Sequence, residues 1–483
     1  MQTFLQKIIG LGKSILTSTQ ETYTNKLFPK LFAGWALLTF LISFNDYWGS
    51  GYLSTKSPLP CFPHFQNCKD IFNSINLIPL PYSYSESIFF TLLLGLMVLG
   101  AYYLYEKKFS RLHLILWTLF LVKSFILLTN YGLGNYDYYD TAVIFVFLLY
   151  PSRHDLVKLV FVILYFLAST IKIHEGWILG TYFSSLYYGL PLIPDSLIPL
   201  ATNISTLMQM VGCWFLLSSN KKLSTYTLYF FIFFHLYSTI LVGYRYPITS
   251  LLSLLVIFYA GKKDSYLQNY PLKRSTLIFY LFITLLFIGQ SISYLIPGDQ
   301  KLTLEGNNYG LYMFEANHQC VSYATQGDRR FISASYDARN RCDPYIYMKN
   351  LQKNLCTTSA GEVSWFFDHS INGGPFRRIV DEPDVCSLVY KPFTRNSWIK
   401  DENQAIIMGK TYKNVYIKGS DTTVIRNGDY IYAQGLSNSK PNQTTSFQLR
   451  LEKYSFQIKF LYWLLWGGTL LFMLYKLIKQ SLV

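Results

Sequence analysis

Long apolar runs separated by short polar joints fill the first 296 residues, and a polar, turn-rich stretch follows them. Runs long enough to cross a hydrocarbon core of roughly 30 Å predict helices near 31 to 48, 86 to 105, 112 to 129, 139 to 152 and 156 to 173. The same pattern predicts helices near 199 to 218, 223 to 243, 247 to 260, 275 to 296 and 458 to 478, about ten spans in all. The stretch 174 to 198 is interrupted by Gly and Pro and is expected to lie in the interface or re-enter. Between 297 and 457 no spanning run occurs. Near its end, NVYIKGSDTTVIRNGDYIYAQG and TTSFQLRLEKYSFQIKF alternate in strand fashion, and the Arg-Asn-Gly-Asp step reads as a hairpin turn. A small β-sandwich or cupin-like barrel is expected near 402 to 457.

The expected organisation is therefore an amphipathic cytoplasmic segment over 1 to 30, a transmembrane domain over 31 to 296, an outer-side domain over 297 to 457, and a last helix with a basic tail over 458 to 483. Composition agrees with a polytopic membrane protein, since only 14% of the residues are charged, against roughly 25% in soluble chains. The first 28 residues lack a cleavage-like small-residue site, so the first span is expected to direct insertion. The net charge of +15 does not point to nucleic acid, because the cations gather beside the ends of apolar spans and no basic helix with base-reading groups is present. With the N-terminus inside, Lys107, Lys108, Arg111, Arg153, Lys158, Lys221, Lys222, Lys262, Lys263, Lys273 and Arg274 fall in inner loops, which sets the orientation. The large domain is then lumenal in an ER membrane, or periplasmic in a bacterial inner membrane.

Cys61, Cys68, Cys320, Cys342, Cys356 and Cys386 all fall outside in this topology, and Cys213 alone falls in a span. An even set on the oxidising side is a disulfide pattern. No CxxC or paired-His spacing points to a metal.

Candidate chemistry begins with Lys172, at the end of the apolar run LVKLVFVILYFLASTIKIHEGW. A charged ammonium in a bilayer costs several kcal/mol unless paired, hydrated or neutral, so an intramembrane lysine marks a candidate functional site. The bland alternative is a side chain that snorkels to the interface. His174 and Glu175 follow at once, then Trp177, an interfacial anchor by type. His235 lies in FFIFFHLYSTILVGYRYP, whose end carries Tyr244 and Arg245, while Asp137 and Tyr138 lie in the outer loop NYDYYDTAV. His235 also reads as a core histidine bonded to a neighbouring helix, Lys123 as a buried pair or snorkeller, and Arg245 as a headgroup contact. A desolvated amine has a lowered pKa and can act as base or nucleophile, and an apolar quinone can reach such a group from the lipid.

The stretch YFLASTIKIHEGWILGTY resembles the signature of the vitamin K-dependent gamma-glutamyl carboxylases and the wider HTTM membrane family. CFPHF, LLLGLMVLGAYYLY, FHLYSTILVGYRY, NNYGLYMFEANHQ, SWFFDHSIN and KPFTRNSWIKD are similar to segments of the same family in the same order, over roughly Leu31 to Glu402. The resemblance implies a membrane enzyme that uses reduced vitamin K, O2 and CO2, without a metal, to carboxylate glutamates of a protein or peptide substrate. In that family the lysine matching Lys172 acts as a neutral amine that deprotonates the hydroquinone, whose reaction with oxygen yields an epoxide and a stronger base. That base removes a glutamate γ-proton and CO2 adds. The resemblance also implies a positioning or hydrogen-bonding role for His235 and a Cys61 to Cys356 disulfide; His174, Trp177, Asp137, Tyr138, Tyr244 and Arg245 are candidates for a substrate or quinone pocket, with Asp137 or Tyr138 standing where the family has a histidine. The chain departs from the pattern in having Ile171, not a second lysine, before Lys172. An epoxidase without carboxylation, a transporter or lipid-handling protein, and a non-catalytic scaffold are the competing functions.

Overall fold

The computed structural model describes residues 20–49, 62–63, 82–129, 131, 135–186, 189–242, 246–259, 277–312, 316–335, 342–356, 361–409, 422–426, 429–434 and 445–481. Tyr244, Arg245, Cys61, Cys68 and most of the expected N-terminal amphipathic segment lie outside the described residues. The chain divides into two compact units, one of Met1–Phe166, Gly212–Tyr280 and Lys476–Val483, the other of Leu167–Val211 and Leu281–Tyr475.

In the described residues the first unit is helical, built on α1 (Leu27–Gly49), α2 (Tyr82–Tyr105), α3 (Phe109–Thr129), α4 (Asn135–Leu149), most of α5 (His154–Ser169) and, after α6 (Ile198–Met210) of the other unit, α7 (Lys221–Val242). Phe28, Phe32 and Phe147 interlock in its core, with Phe32 stacked on Phe147 at 4.2 Å between ring centres. Gly100 lets α1 and α2 approach, since a Cβ there would stand 2.8 Å from Leu37 Cδ2. Small residues serve this purpose between membrane helices, where there is no hydrophobic drive to bring backbones together.

Among the described residues six helices are long and apolar enough to cross a membrane: Leu27–Asn45, Ser87–Tyr105, Phe109–Leu128, His154–Lys172, Leu277–Leu295 and Ser455–Lys476. Within the described residues the other four expected spans do not meet that length and hydropathy. The run 139 to 152 gives only the 15-residue α4, and the run 199 to 218 leaves the α-helical path at Gly212–Leu217, a 3-10 stretch. Helix α7 has the length but begins with Lys221, Lys222, Ser224, Thr225 and Thr227. After Pro247 the chain runs as two π-helical turns around Leu252–Leu254.

The second unit holds a seven-stranded sheet in the order β5-β4-β3-β1-β2-β7-β6. Its strands are β1 (His318–Gln326), β2 (Arg329–Ser335), β3 (Ser364–Ile371), β4 (Phe376–Glu382), β5 (Ile406–Gly409), β6 (Thr422–Arg426) and β7 (Asp429–Gln434). Neighbours are antiparallel except β2 and β7. The expected hairpin is present, with Arg426 opposite Asp429. In place of the expected sandwich or cupin-like barrel near 402 to 457, the strands among the described residues there, β5, β6 and β7, complete one sheet that starts at His318.

From Ser446 to Phe460 the chain is helical apart from a turn at Lys453 and Tyr454, against the strand expectation for TTSFQLRLEKYSFQIKF. Thr445 caps Ser446–Glu452 in a capping box with Gln448, and α10 (Ser455–Ser481) follows α8 (Leu277–Leu295) and α9 (Pro344–Leu355) in chain order. The Thr-x-x-Gln spacing satisfies orphan N-terminal amides and outweighs the period-2 alternation. Disulfides Cys320–Cys342 and Cys356–Cys386 fasten α9 at both ends. Cys356 is thereby committed to Cys386, which corrects the expected pairing with Cys61. Two cysteines flanking one helix meet their partners locally on the same unit.

Candidate functional site

Helix α5 ends in the 3-10 turn Thr170–Lys172, and its path then breaks into the short helices Glu175–Ile178 and Thr181–Ser184. Gly180, at φ +69°, makes the joint between them, a conformation that suits glycine. Two bonds hold the turn: Thr170 Oγ1 donates to the Leu167 carbonyl at 2.8 Å, and Gln290 Nε2 on α8 donates to Thr170 Oγ1 at 2.9 Å.

Lys172 is buried, with 6% of its surface exposed. Its ammonium folds back along the chain, donating to the Ala168 carbonyl at 3.3 Å and lying 5.0 Å from the centre of the Trp177 ring. Trp177 packs edge-on to Phe183 and beside Tyr182, so an aromatic wall stands next to the amine. The side chain is thus buried, with its head turned back on its own helix and towards Trp177.

His174 caps the next short helix, its Nδ1 accepting from the Gly176 amide at 3.1 Å. A neutral imidazole in this role carries its proton on Nε2. Burial, reinforced by Lys301, Lys459 and His318, lowers its pKa to about 4, with Asp299 acting in the opposite sense. Glu175 accepts from the Ser455 hydroxyl at 2.7 Å.

The end of the sheet seats this loop. Asn317 and Asn372 bond reciprocally, each backbone amide being received by the other residue at 2.8 Å, and Asn317 Nδ2 donates to Ser185 Oγ at 3.0 Å. Beside them His318 Nδ1 and His369 Nε2 are 3.0 Å apart, and His369 Nδ1 lies 2.7 Å from the Leu302 carbonyl. A carbonyl only accepts, so in the neutral pair His369 holds its proton on Nδ1 and receives one from His318 Nδ1. Burial lowers the His369 pKa to about 3.

Neither histidine was assigned a role from the sequence. A signal existed: Trp365, Phe367 and His369 alternate on β3, and the first two are fully buried, so a histidine on that face needs hydrogen-bond partners.

His235 lies in the other unit, and its surroundings are its own. Its Nε2 is hydrogen-bonded to the Tyr165 hydroxyl and its Nδ1 to the Tyr246 hydroxyl at 3.0 Å. The expectation of a core histidine bonded to neighbouring elements describes this geometry. Asp137 is committed within the same unit: Lys123 Nζ lies 3.1 Å from it and 2.7 Å from Asp140, and Ser43 Oγ donates to Asp137 at 3.0 Å. All three charges are buried. This is the buried-pair reading of Lys123, widened to a triad, while Tyr138 is half-buried on the same helix.

Among the described residues no group of three or more His, Cys, Asp or Glu side chains is placed to hold a metal. No protein-family model, curated protein or solved structure matches this chain. The chemistry available in the second unit is a buried primary amine beside aromatic rings, with the imidazoles of His174 and His369, whose pKa values burial lowers, in the same unit.

Proposed function

We propose that this chain is a multi-pass membrane enzyme similar to the vitamin K-dependent carboxylases, with Lys172 as the base that takes a proton from a reduced quinone. The observation that carries the reading is the enclosure of the Lys172 amine against Trp177. Desolvation favours the neutral form of an amine, and exclusion of water protects a strongly basic reaction from quenching. Trp177, Tyr182 and Phe183, packed edge-on and tilted against one another, make the surroundings of the amine apolar and aromatic. The reduced quinone with O2 would supply the base strength needed to remove a glutamate γ-proton, and CO2 would add to the carbanion left behind. Lys172 receives the hydroquinone proton, Trp177 orients its ammonium, and the Gln290 to Thr170 bond holds the turn that carries it. The sheet domain would lie on the outer, lumenal or periplasmic side and meet the protein or peptide substrate there.

A second reading rests on the same break after α5. Discontinuous helices form substrate sites in transporters, so Lys172, His174 and Glu175 could handle a lipid headgroup or a proton.

The deciding experiment incubates the full chain in nanodiscs with reduced vitamin K, O2, labelled bicarbonate and a glutamate-containing peptide, and measures epoxide and carboxylated glutamate. The carboxylase reading expects both products, and their loss in Lys172→Ala. Epoxide alone selects the epoxidase form. Wild-type protein that makes neither product in nanodiscs, yet moves a lipid or proton across the wall of vesicles into which the full chain is reconstituted, would establish the second reading instead.

A further inference from the structure

We propose that the loop 389–395 of the sheet-bearing unit dips into the adjoining leaflet of the bilayer and holds its apolar tip, Val389 and Phe393, among phospholipid acyl chains. The proposal rests on the multi-pass part of the reading above and needs none of its chemistry.

Depth carries the argument. Helix α8 is long and apolar enough to cross a membrane, and its Leu281, Leu285, Ile288 and Leu295 side chains are each more than half exposed. After α8 the chain turns back along the same helix. A Cβ at Gly306 would stand 3.1 Å from the Ser293 α-carbon, and one at Gly289 would stand 2.5 Å from the Tyr309 carbonyl oxygen. The Leu311 amide donates to Gln290 Oε1 at 2.6 Å. Gly289 lies six residues inside Leu295, about 9 Å along a helix that rises roughly 1.5 Å per residue. The backbone of Tyr309 therefore stands beside the apolar span, inside its end. Phe393 packs its ring on that of Tyr309, with 4.9 Å between centres. Arg395 Nη1 donates to the Pro297 carbonyl at 2.8 Å, which pins the loop just past the end of α8.

The loop is held from within while its apolar side chains point away from the core. The backbone amide and Nδ2 of Asn396 both donate to buried Glu305 Oε1, at 2.7 and 2.9 Å. Asn396 also closes on Lys391, accepting from its amide at 2.7 Å and donating to its carbonyl at 3.0 Å. Trp398 Nε1 donates to the Val389 carbonyl at 3.3 Å. Yet Val389 is 72% exposed and Phe393 55%. Apolar side chains fixed outward mark an interaction surface, and at the level of α8 the partner that fits is lipid. Tyr309 beside Phe393 is a residue type that favours the membrane boundary, and the exposed Lys391 between them in the loop suits lipid phosphates.

The test uses the full wild-type chain in nanodiscs of phosphatidylcholine that carries a diazirine on its acyl chain. After irradiation, adducts are mapped by peptide mass spectrometry. The expected result is adducts on 281–295 of α8 and also on Val389 or Phe393. Their yield on the loop should be several times that at Gly327 and Asp328, an exposed turn at the far end of β1 from His318. Adducts on α8 with the loop no higher than that turn would overturn the proposal and leave the multi-pass reading standing. Adducts missing from α8 as well would sink that reading, and the proposal with it. Val389→Asp combined with Phe393→Asp is expected to lose the loop adducts and keep those on α8, with wild-type thermal unfolding. A folded double variant with an undiminished loop yield would also refute the proposal, and should the variant fail to fold, the wild-type map decides alone.

Discussion

The carboxamide of Asn372 lies against the α-carbon of Gly176, so closely that a methyl group there would collide with Asn372 Nδ2. Asn372 adopts φ +54° and receives the Asn317 amide, so the end of the sheet holds the loop that follows Lys172. Gly176→Ala is expected to cost about 1–3 kcal/mol through overpacking, read as a fall in thermal unfolding temperature. Asn372→Gly suits the positive φ and removes the obstruction. The double variant should therefore be less destabilised than the sum of the two singles. Strict additivity would show that the two residues do not press on each other.

Lys123 sits between two buried aspartates. Removing the ammonium leaves carboxylates without their counter-charge, and Lys123→Ala is expected to cost about 3–5 kcal/mol. Adding Asp137→Asn and Asp140→Asn to Lys123→Met should recover much of that loss. Unfolding midpoints in detergent report both steps, and a silent Lys123→Ala would remove the triad as a stabilising element.

Acid should weaken the second unit through its histidines. Burial holds His369 at about 3 and His174 at about 4, both below the unfolded value of 6.5. Between those values the unfolded chain binds protons that the folded chain refuses, so stability is full above 6.5 and falls as the pH drops towards 4 and then 3. The groups that act on His174 are Asp299, Lys301, Lys459 and His318. His369→Gln should flatten the pH dependence of the unfolding midpoint, and an unchanged slope would assign the acid sensitivity elsewhere.

Cys320–Cys342 and Cys356–Cys386 close loops of 22 and 30 residues. Each should contribute roughly 3 kcal/mol by restricting the unfolded chain. Peptide mapping without reduction is expected to recover both pairs, and a Cys61 to Cys356 peptide would contradict the pairing. Cys356→Ser should destabilise the protein about as much as Cys356→Ser with Cys386→Ser, since one removal already breaks the bond.

Local pattern alone determined the apolar runs that became helices, the broken stretch after Lys172, the Arg426 to Asp429 hairpin and the even cysteine set suited to disulfides. These depend on residues within a few turns of one another, which is the reach of periodicity and turn chemistry. The apolar runs look alike in sequence, yet 89% of the His154–Lys172 window is buried and only 6% of the Ser455–Lys476 window. That difference, the choice of Cys386 for Cys356, the single sheet and the meeting of His318 with His369 were decided by tertiary structure. Each depends on which distant segment closes over a given face, and a buried polar group reveals its role only when its partners are in place.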